Sequence, residues 1–281
     1  MSKLLVMSLF RDSEDILAET LKNFESIEGL DMDVEFAFYE NDSVDNTRSI
    51  LTKWIDGRGK VFFEDLGFPR FGSVPDVERL IFMSYYRNSL KRKYGITNAD
   101  FVLLVDSDVR FDRSHVKMLL ERIRGYAMMT SNTRQVEIPD LMYGETSDGF
   151  YDVFAVRDRY FNNGLYFTDC PVMIGGDRQL WAEGKIIDVT AAFGGLALID
   201  GNVFNQVEWS TSGHVEHINF CAEVGTFGKI GIDPLCKPVS PVDMSKINLD
   251  ACRQIAQRQV QAMSNINNII AASTSNTLKV Q

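Results

Sequence analysis

The chain has 281 residues, 45% hydrophobic and 24% charged, a size and balance that suit one large globular domain or one domain with a short appendage. Its net charge of −10 and pI near 4.9 argue against general binding to nucleic acid or anionic membranes, which needs a basic field. No run approaches the ~18 apolar residues of a membrane span, and Lys3 precedes only Leu4-Leu5-Val6-Met7 before charges begin, so neither a span nor a signal peptide is expected.

The first 125 residues alternate between two periods. Leu4 to Leu9 reads as a strand, and Asp15 to Phe24 places Ile16, Leu17, Leu21 and Phe24 at helical spacing. Val34 to Tyr39 is a second strand. Ser49 to Ile55 is helical, with Asp45 or Asn46 as N-cap, and Lys60 to Phe63 is a third strand. Arg79 to Lys93 is an amphipathic helix ending at Gly95. Phe101 to Val105 is an unbroken apolar run, the pattern of a strand buried on both faces. Ser114 to Ile123 is the next helix, with Ser114 as its expected cap. Strands alternating with helices imply a mostly parallel α/β sheet, whose ligands gather at the carboxyl ends of the strands.

From about Met128 to Lys185 the pattern is irregular and rich in aromatics, Gly and Asp, and is expected to form loops and short strands around an acceptor cleft. Gly194-Gly195 then makes a tight turn into a strand ending at Ile199. His214 to Val224 is partly helical and Ile230 to Pro234 is a last short strand. Asn248 to Ala271 reads as a C-terminal helix with Ile255, Val260, Met263, Ile266 and Ile270 on its buried side, packed on its own domain or on a second copy. A polar tail runs from Ser273 to Gln281. The four cysteines, Cys170, Cys221, Cys236 and Cys252, form no C-x-x-C pair and have no finger-like histidine spacing, so they read as reduced thiols.

Chemistry concentrates at two strand ends. Asp106-Ser107-Asp108 follows the apolar run. Carboxylates at i and i+2, with the backbone turning, can share one divalent cation, and a hard cation with open positions suits a diphosphate. Such triplets are also ordinary solvated loop ends. Glu40-Asn41-Asp42-Ser43 follows the second strand, where a carboxylate can accept hydrogen bonds from ribose hydroxyls or a base. The plainer reading is an Asx turn with a helix cap. Arg87, on the helix before Asp106, offers a planar fork to phosphates or is a salt-bridged arginine. Gly194 and Gly195 either let backbone approach a sugar or serve close packing. Glu216 is the candidate general base for an acceptor hydroxyl, and His217 or His214 is a candidate third metal ligand. His115, behind Ser114, is expected to be structural.

Several of these stretches resemble a known group. Tyr39-Glu40-Asn41-Asp42-Ser43-Val44-Asp45-Asn46-Thr47 resembles the YENDSxDxT element of the CAP59-type mannosyltransferases, and also the DDGSxDxT element of inverting GT-A transferases. Phe150 to Asp158 is similar to the YDTxAxRD stretch of the CAP59-like group. Ala192 to Ile199 and Glu216 to Cys221 resemble the GGxALI and EHxxFC blocks of bacterial and viral GT-A proteins. The order along residues 4 to 236 is right, and Asp106-Ser107-Asp108 matches the D-x-D element of metal-dependent glycosyltransferases.

The resemblance implies a Rossmann-like GT-A domain over residues 1–237 and a C-terminal helical extension over 238–281. It also implies a nucleotide-sugar donor, UDP- or GDP-linked, and Mn2+ or Mg2+. Glu40 and Asp42 would lie near the nucleoside. Asp108 would bind the metal, and Asp106 the metal or the ribose. Arg87 would lie near the diphosphate or base, Gly194-Gly195 would border the donor sugar and acceptor, and Glu216 would stand where inverting members keep a catalytic carboxylate. His217 departs from the Glu-Asp pair usual there. The expected protein is a cytoplasmic glycosyltransferase, of a bacterium or a virus-infected cell, acting on a glycan or glycoconjugate; a nucleic-acid acceptor is disfavoured by the charge. The rivals are a non-catalytic carbohydrate-binding scaffold and a sugar nucleotidyltransferase, which normally needs a Gly-rich basic loop that Ser8 to Asp12 does not provide.

Overall fold

The computed structural model describes residues 1–69, 77–139, 146–166, 168–211 and 215–241. In chain order the elements are β1 (Lys3–Phe10), α1 (Glu14–Ile27), β2 (Asp33–Asn41), α2 (Thr47–Trp54), β3 (Gly59–Glu64), α3 (Val77–Tyr94), β4 (Phe101–Asp106) and α4 (Arg113–Arg122). There follow β5 (Tyr126–Ser131), β6 (Arg134–Pro139), β7 (Thr146–Phe150), a 3-10 turn at Val153–Ala155, β8 (Arg157–Asp158), α5 (Gly175–Ala182), β9 (Ile187–Ala191), β10 (Leu196–Asp200), α6 (Gly201–Gln206), α7 (Glu216–Val224), β11 (Lys229–Asp233) and β12 (Val239–Pro241).

Among the described residues these strands form a nine-stranded sheet, ordered β3-β2-β1-β4-β10-β5-β11-β9-β8, and a three-stranded sheet, β12-β6-β7. The half built from β3, β2, β1 and β4 is parallel throughout. The other half is mixed: β10 runs antiparallel to both β4 and β5, and β11 is parallel to β5 but antiparallel to β9. The expectation of a mostly parallel sheet therefore holds for the first half only. The reversal comes from β10, which returns into the sheet directly from the Gly194-Gly195 turn instead of after a crossover helix.

Period-two alternation divides the core. In β1, Leu5 and Met7 face one layer, with Tyr86 and Leu90 of α3 and Phe220 of α7. Leu4 and Val6 face the other, with Leu17, Leu21 and Phe24 of α1 and Val116 and Leu119 of α4. Phe24 is the hub of that second layer, its ring packed on those of Phe10, Phe36, Phe38, Trp54 and Phe111. Each fully buried aromatic or aliphatic side chain contributes about 1.5–3 kcal/mol, so central strands covered on both faces hold the site edge rigid.

Two local expectations are corrected. Asp112, not Ser114, caps α4: its carboxylate accepts from the Ser114 and His115 amides, and His115 Nδ1 accepts from the Asp112 amide in return, which confirms His115 as structural. The stretch 128–185 contains a central strand, β5, and a helix, α5. Val239 pairs with Arg134 of β6 and exchanges hydrogen bonds with Arg110. Cys170, Cys221 and Cys236 are free thiols. The helix expected at Asn248–Ala271, the tail, Cys252 and His214 lie outside the described residues.

Candidate active site at the strand ends

Because β1, β2 and β4 are parallel, their carboxyl ends share one edge, with Asp106 level with Leu9 and Glu40 level with Phe10. Opposite them, Leu196 of the antiparallel β10 pairs with Val105. The Gly194-Gly195 turn therefore sits beside the end of β4, and the Asp106 amide donates to the Gly195 carbonyl at 2.9 Å. Both glycines have positive φ, 65° and 68°. A Cβ on Gly194 would meet the Ser131 carbonyl at 2.5 Å, and one on Gly195 would meet Val109 Cγ2 at 2.6 Å and the Tyr151 ring at 2.8 Å. The missing side chains allow β4, β5 and Tyr151 to converge on one point.

Arg87 of α3 enters that point as a buried cation. Its Nη2 lies 3.3 Å from Asp106 Oδ1 and its Nε 3.3 Å from Glu216 Oε1, the first residue of α7. The Tyr151 hydroxyl donates to Asp106 Oδ2 at 3.3 Å and lies near Asp108. Asn88, next to Arg87, turns the other way and brackets Trp209 with two hydrogen bonds to its backbone. Arg79, two turns earlier on α3, adds a second positive charge near Asp106, Asp108 and Asp152.

The electrostatics follow from crowding four carboxyl groups, Asp106, Asp108, Asp152 and Glu216, around two guanidiniums. Burial and the charge of Asp106 push the Asp108 carboxyl up to about 6. Burial also raises Asp106, against the pull of Arg87. Asp152 is held well above the carboxylate range by burial and then by Asp106 and Glu216. Burial, with Asp108 and Asp106 nearby, keeps Tyr151 a phenol and hence a donor. Such raised carboxyls mark a site short of positive charge.

A hard divalent cation fits that deficit. Asp106 and Asp108 supply oxygen donors, and Asp108 is the less engaged of the two. Among the described residues no three His, Cys, Asp or Glu side chains gather as a ligand set; a carboxylate pair with open positions is the kind of donor set that Mg2+-type ions share with phosphate and water. His217, expected as a third ligand, is not brought to that pair. It is buried, its ring stacked on Phe193 at 3.8 Å between centroids, and its Nε2 lies 3.6 Å from Glu216 Oε1.

The second loop is a brace. Glu40 is fully buried, accepting from the Ser43 amide at 2.8 Å and from Arg48 Nε at 2.7 Å. Its carboxylate is taken up within the loop by Ser43 and Arg48. Asp42, at φ 53°, accepts from the Leu66 and Gly67 amides. Burial opposes its ionisation, yet these amides, Asn41 and the Arg11 charge hold it below the usual carboxylate value. Asp42 thus remains charged at the end of β2, next to Arg11 of the β1 end.

Sequence reasoning missed Arg79, Tyr151 as a partner of the Asp pair, and Asp152. Trp181 and Trp209 are buried in the core, Trp209 stacked on Phe220 at 4.1 Å.

A large mixed sheet flanked by helices, with carboxylates at the end of the parallel strand β4, matches the GT-A fold of solved structures. Staphylococcus aureus TarS residues 1–349 superposes with a TM-score of 0.51 at 15% identity, covering 85% of this chain and 60% of that one. The mannosyltransferase PcManGT from Pyrobaculum calidifontis, in complex with GDP-Man and Mn2+, gives 0.51 at 14%, covering 84% and 56%. GalNAc-T7 with UDP, GalNAc and Mn2+ gives 0.50 at 14%, covering 86% and 44%. At such identities the likeness is one of fold, and the chain spans about 60% or less of the length of these neighbours. No protein-family model and no curated protein matches the sequence. No helix among the described residues is long and apolar enough to cross a membrane.

Proposed function

We propose that this protein is a metal-dependent glycosyltransferase that moves a sugar from a nucleoside-diphosphate donor, UDP- or GDP-linked, to a hydroxyl of a glycan or glycoconjugate. The observation that carries this reading is the Asp106–Asp108 pair, short of positive charge, beside Arg87 and Arg79 at the strand ends. The neighbouring structures support the donor class: TarS residues 1–349 is known in complex with UDP-GlcNAc and PcManGT with GDP-Man and Mn2+. The closer grouping with CAP59-type proteins rests on the motif residues at Tyr39–Thr47 and Phe150–Asp158.

In this reading Asp42 and Arg11 receive the nucleoside, while Glu40 and Arg48 hold the loop that presents Asp42. Asp108 and Asp106 hold Mn2+ or Mg2+, which when bound stabilises the charge that grows on the departing diphosphate. Arg79 and Arg87 add fixed positive charge on the same side, and Glu216 keeps Arg87 aimed at Asp106. Preorganised charge of this kind acts where the transition state develops it.

The test is a donor screen. Purified protein with UDP-GlcNAc, UDP-glucose and GDP-mannose, with and without Mn2+, is expected to release nucleoside diphosphate from one donor only when metal is present. No release and no metal-dependent nucleotide binding would replace this reading with the non-catalytic scaffold. Pyrophosphate release from a sugar phosphate and a nucleoside triphosphate would replace it with the nucleotidyltransferase.

A further inference from the structure

Asp152 occupies the left-handed region at φ 56° and ψ 42°. For a non-glycine residue that conformation is strained and persists only where the surroundings enforce it. They do so on both sides. The Tyr151 amide donates to the Thr133 carbonyl, and the Ala155 amide to the Asp152 carbonyl, closing the 3-10 turn. The Tyr151 ring packs where Gly195 lacks a side chain, its hydroxyl reaches Asp106, and the turn rests on α7. The enforced backbone puts the Asp152 carboxylate among Asp106 of β4, Glu216 of α7, and Arg87 and Arg79 of α3.

Two carboxylates beside the Asp pair thus compete for the role of base, and they differ in access. Glu216 is 3% exposed; one oxygen is held by Arg87 and the other is enclosed without a partner among the described residues. A base must come within hydrogen-bond reach of the proton it removes, and Glu216 presents no oxygen to the cleft. Asp152 is partly exposed, and no hydrogen bond among the described residues ties its carboxylate.

We infer that Asp152 is the general base of the transfer and that Glu216 is a positioning residue for Arg87. The inference rests on the glycosyltransferase reading above. Asp152 takes the proton of the acceptor hydroxyl as that oxygen bonds to the anomeric carbon. The bond from that carbon to the diphosphate breaks, its electron pair leaving on the nucleoside diphosphate. A single displacement inverts the anomeric configuration.

The experiment uses water as acceptor, with UDP-GlcNAc and GDP-mannose as donors and Mn2+ present. It follows nucleoside diphosphate release, with donor binding measured separately by calorimetry. Asp152→Asn keeps the size of the side chain and its tolerance of the left-handed region, so it is expected to bind donor as the native protein does while turnover falls about 10²–10⁴-fold. Azide needs no proton removed; with Asp152→Ala it is expected to restore turnover and to yield a glycosyl azide of inverted configuration. Glu216→Gln is expected to weaken donor binding and to gain nothing from azide. Turnover by Asp152→Asn within about threefold of native, a loss that azide does not restore, a product of retained configuration, or a native protein that binds donor without ever turning it over each overturns the assignment of Asp152. A native protein that binds neither donor with Mn2+ overturns the glycosyltransferase reading itself.

Discussion

The imidazole of His217 lies flat on the ring of Phe193, with centroids 3.8 Å apart and planes 11° from parallel. Among the described residues neither ring nitrogen has a hydrogen-bond partner. Burial, and then the positive charges of Arg87 and Arg79, hold its pKa well below the ordinary value, so the folded protein keeps this histidine neutral. The unfolded chain binds a proton near pH 6.5. Stability from this group is therefore intact above about pH 6.5 and declines as the pH falls below it. His217→Phe should melt within a few degrees of native at pH 7 and lose less stability than native between pH 7 and pH 5. It should also keep its stabilisation by Mn2+, because His217 stands apart from the Asp pair. Thermal melts across pH, with and without Mn2+, check both points, and a variant unresponsive to Mn2+ would return His217 to the metal.

Arg87 is shared by Asp106 and Glu216 at 3.3 Å each and is itself buried. Removing one partner of a buried ion set typically costs about 3–5 kcal/mol, because the charge left behind is uncompensated. Arg87→Met is expected to lose stability on that scale in urea. Adding Glu216→Gln, which removes one stranded charge, should recover part of it. A double-mutant cycle with a coupling near zero would show that the two side chains act independently.

The parallel half of the fold was legible because each element carries one unambiguous period: Phe101–Val105 is apolar without a break, and Asp15 to Phe24 repeats every three to four residues. The mixed half was not. Tyr126–Ser131 is buried at nearly every position, a pattern that gives no alternation to read, and the sheet it joins is assembled by strands far apart in sequence. At the site, D-x-D and the Glu40–Thr47 loop were visible as residue types, but their division of labour was not. Glu40 and Asp42 stand two apart, yet one carboxylate is taken up by Arg48 and the other by the Leu66 and Gly67 amides. Glu216 and His217 are neighbours on a helix, about 100° apart around its axis, so one meets Arg87 while the other meets Phe193. Nothing local announces that Asp152 adopts positive φ, since tertiary contacts around Tyr151 impose it.

Gly195 has φ 68° and no room for a methyl group between Val109 and Tyr151. Gly195→Ala combines left-handed strain of about 1 kcal/mol with overpacking of about 1–3 kcal/mol. The expected result is a folded protein destabilised by about 2–4 kcal/mol. Because the displaced ring is the one that bonds Asp106, donor turnover should fall by more than tenfold. Native-like turnover in a destabilised variant would separate the packing role of Gly195 from the site.

Asp108 gives the sharpest opposition between stability and function. Its carboxyl is pushed up to about 6 by burial and by Asp106, whereas in the unfolded chain it ionises near 4. Between those values the folded state holds the extra proton, so the metal-free protein loses stability as the pH rises from about 4 to 6, and the loss is complete at pH 7. Asp108→Asn removes the penalty. The metal-free variant is expected to be more stable than native at pH 7 by about 1–2 kcal/mol, after allowance for solvent screening. The same variant should lose both the stabilisation that Mn2+ gives the native protein and the metal-dependent release of nucleoside diphosphate. The stabilising effect of Mn2+ on the native protein should also be larger at pH 7 than at pH 5, where protonation competes with the cation for Asp108. An Asp108→Asn protein that is less stable than native without metal, and still responds to Mn2+, would move the metal away from Asp108.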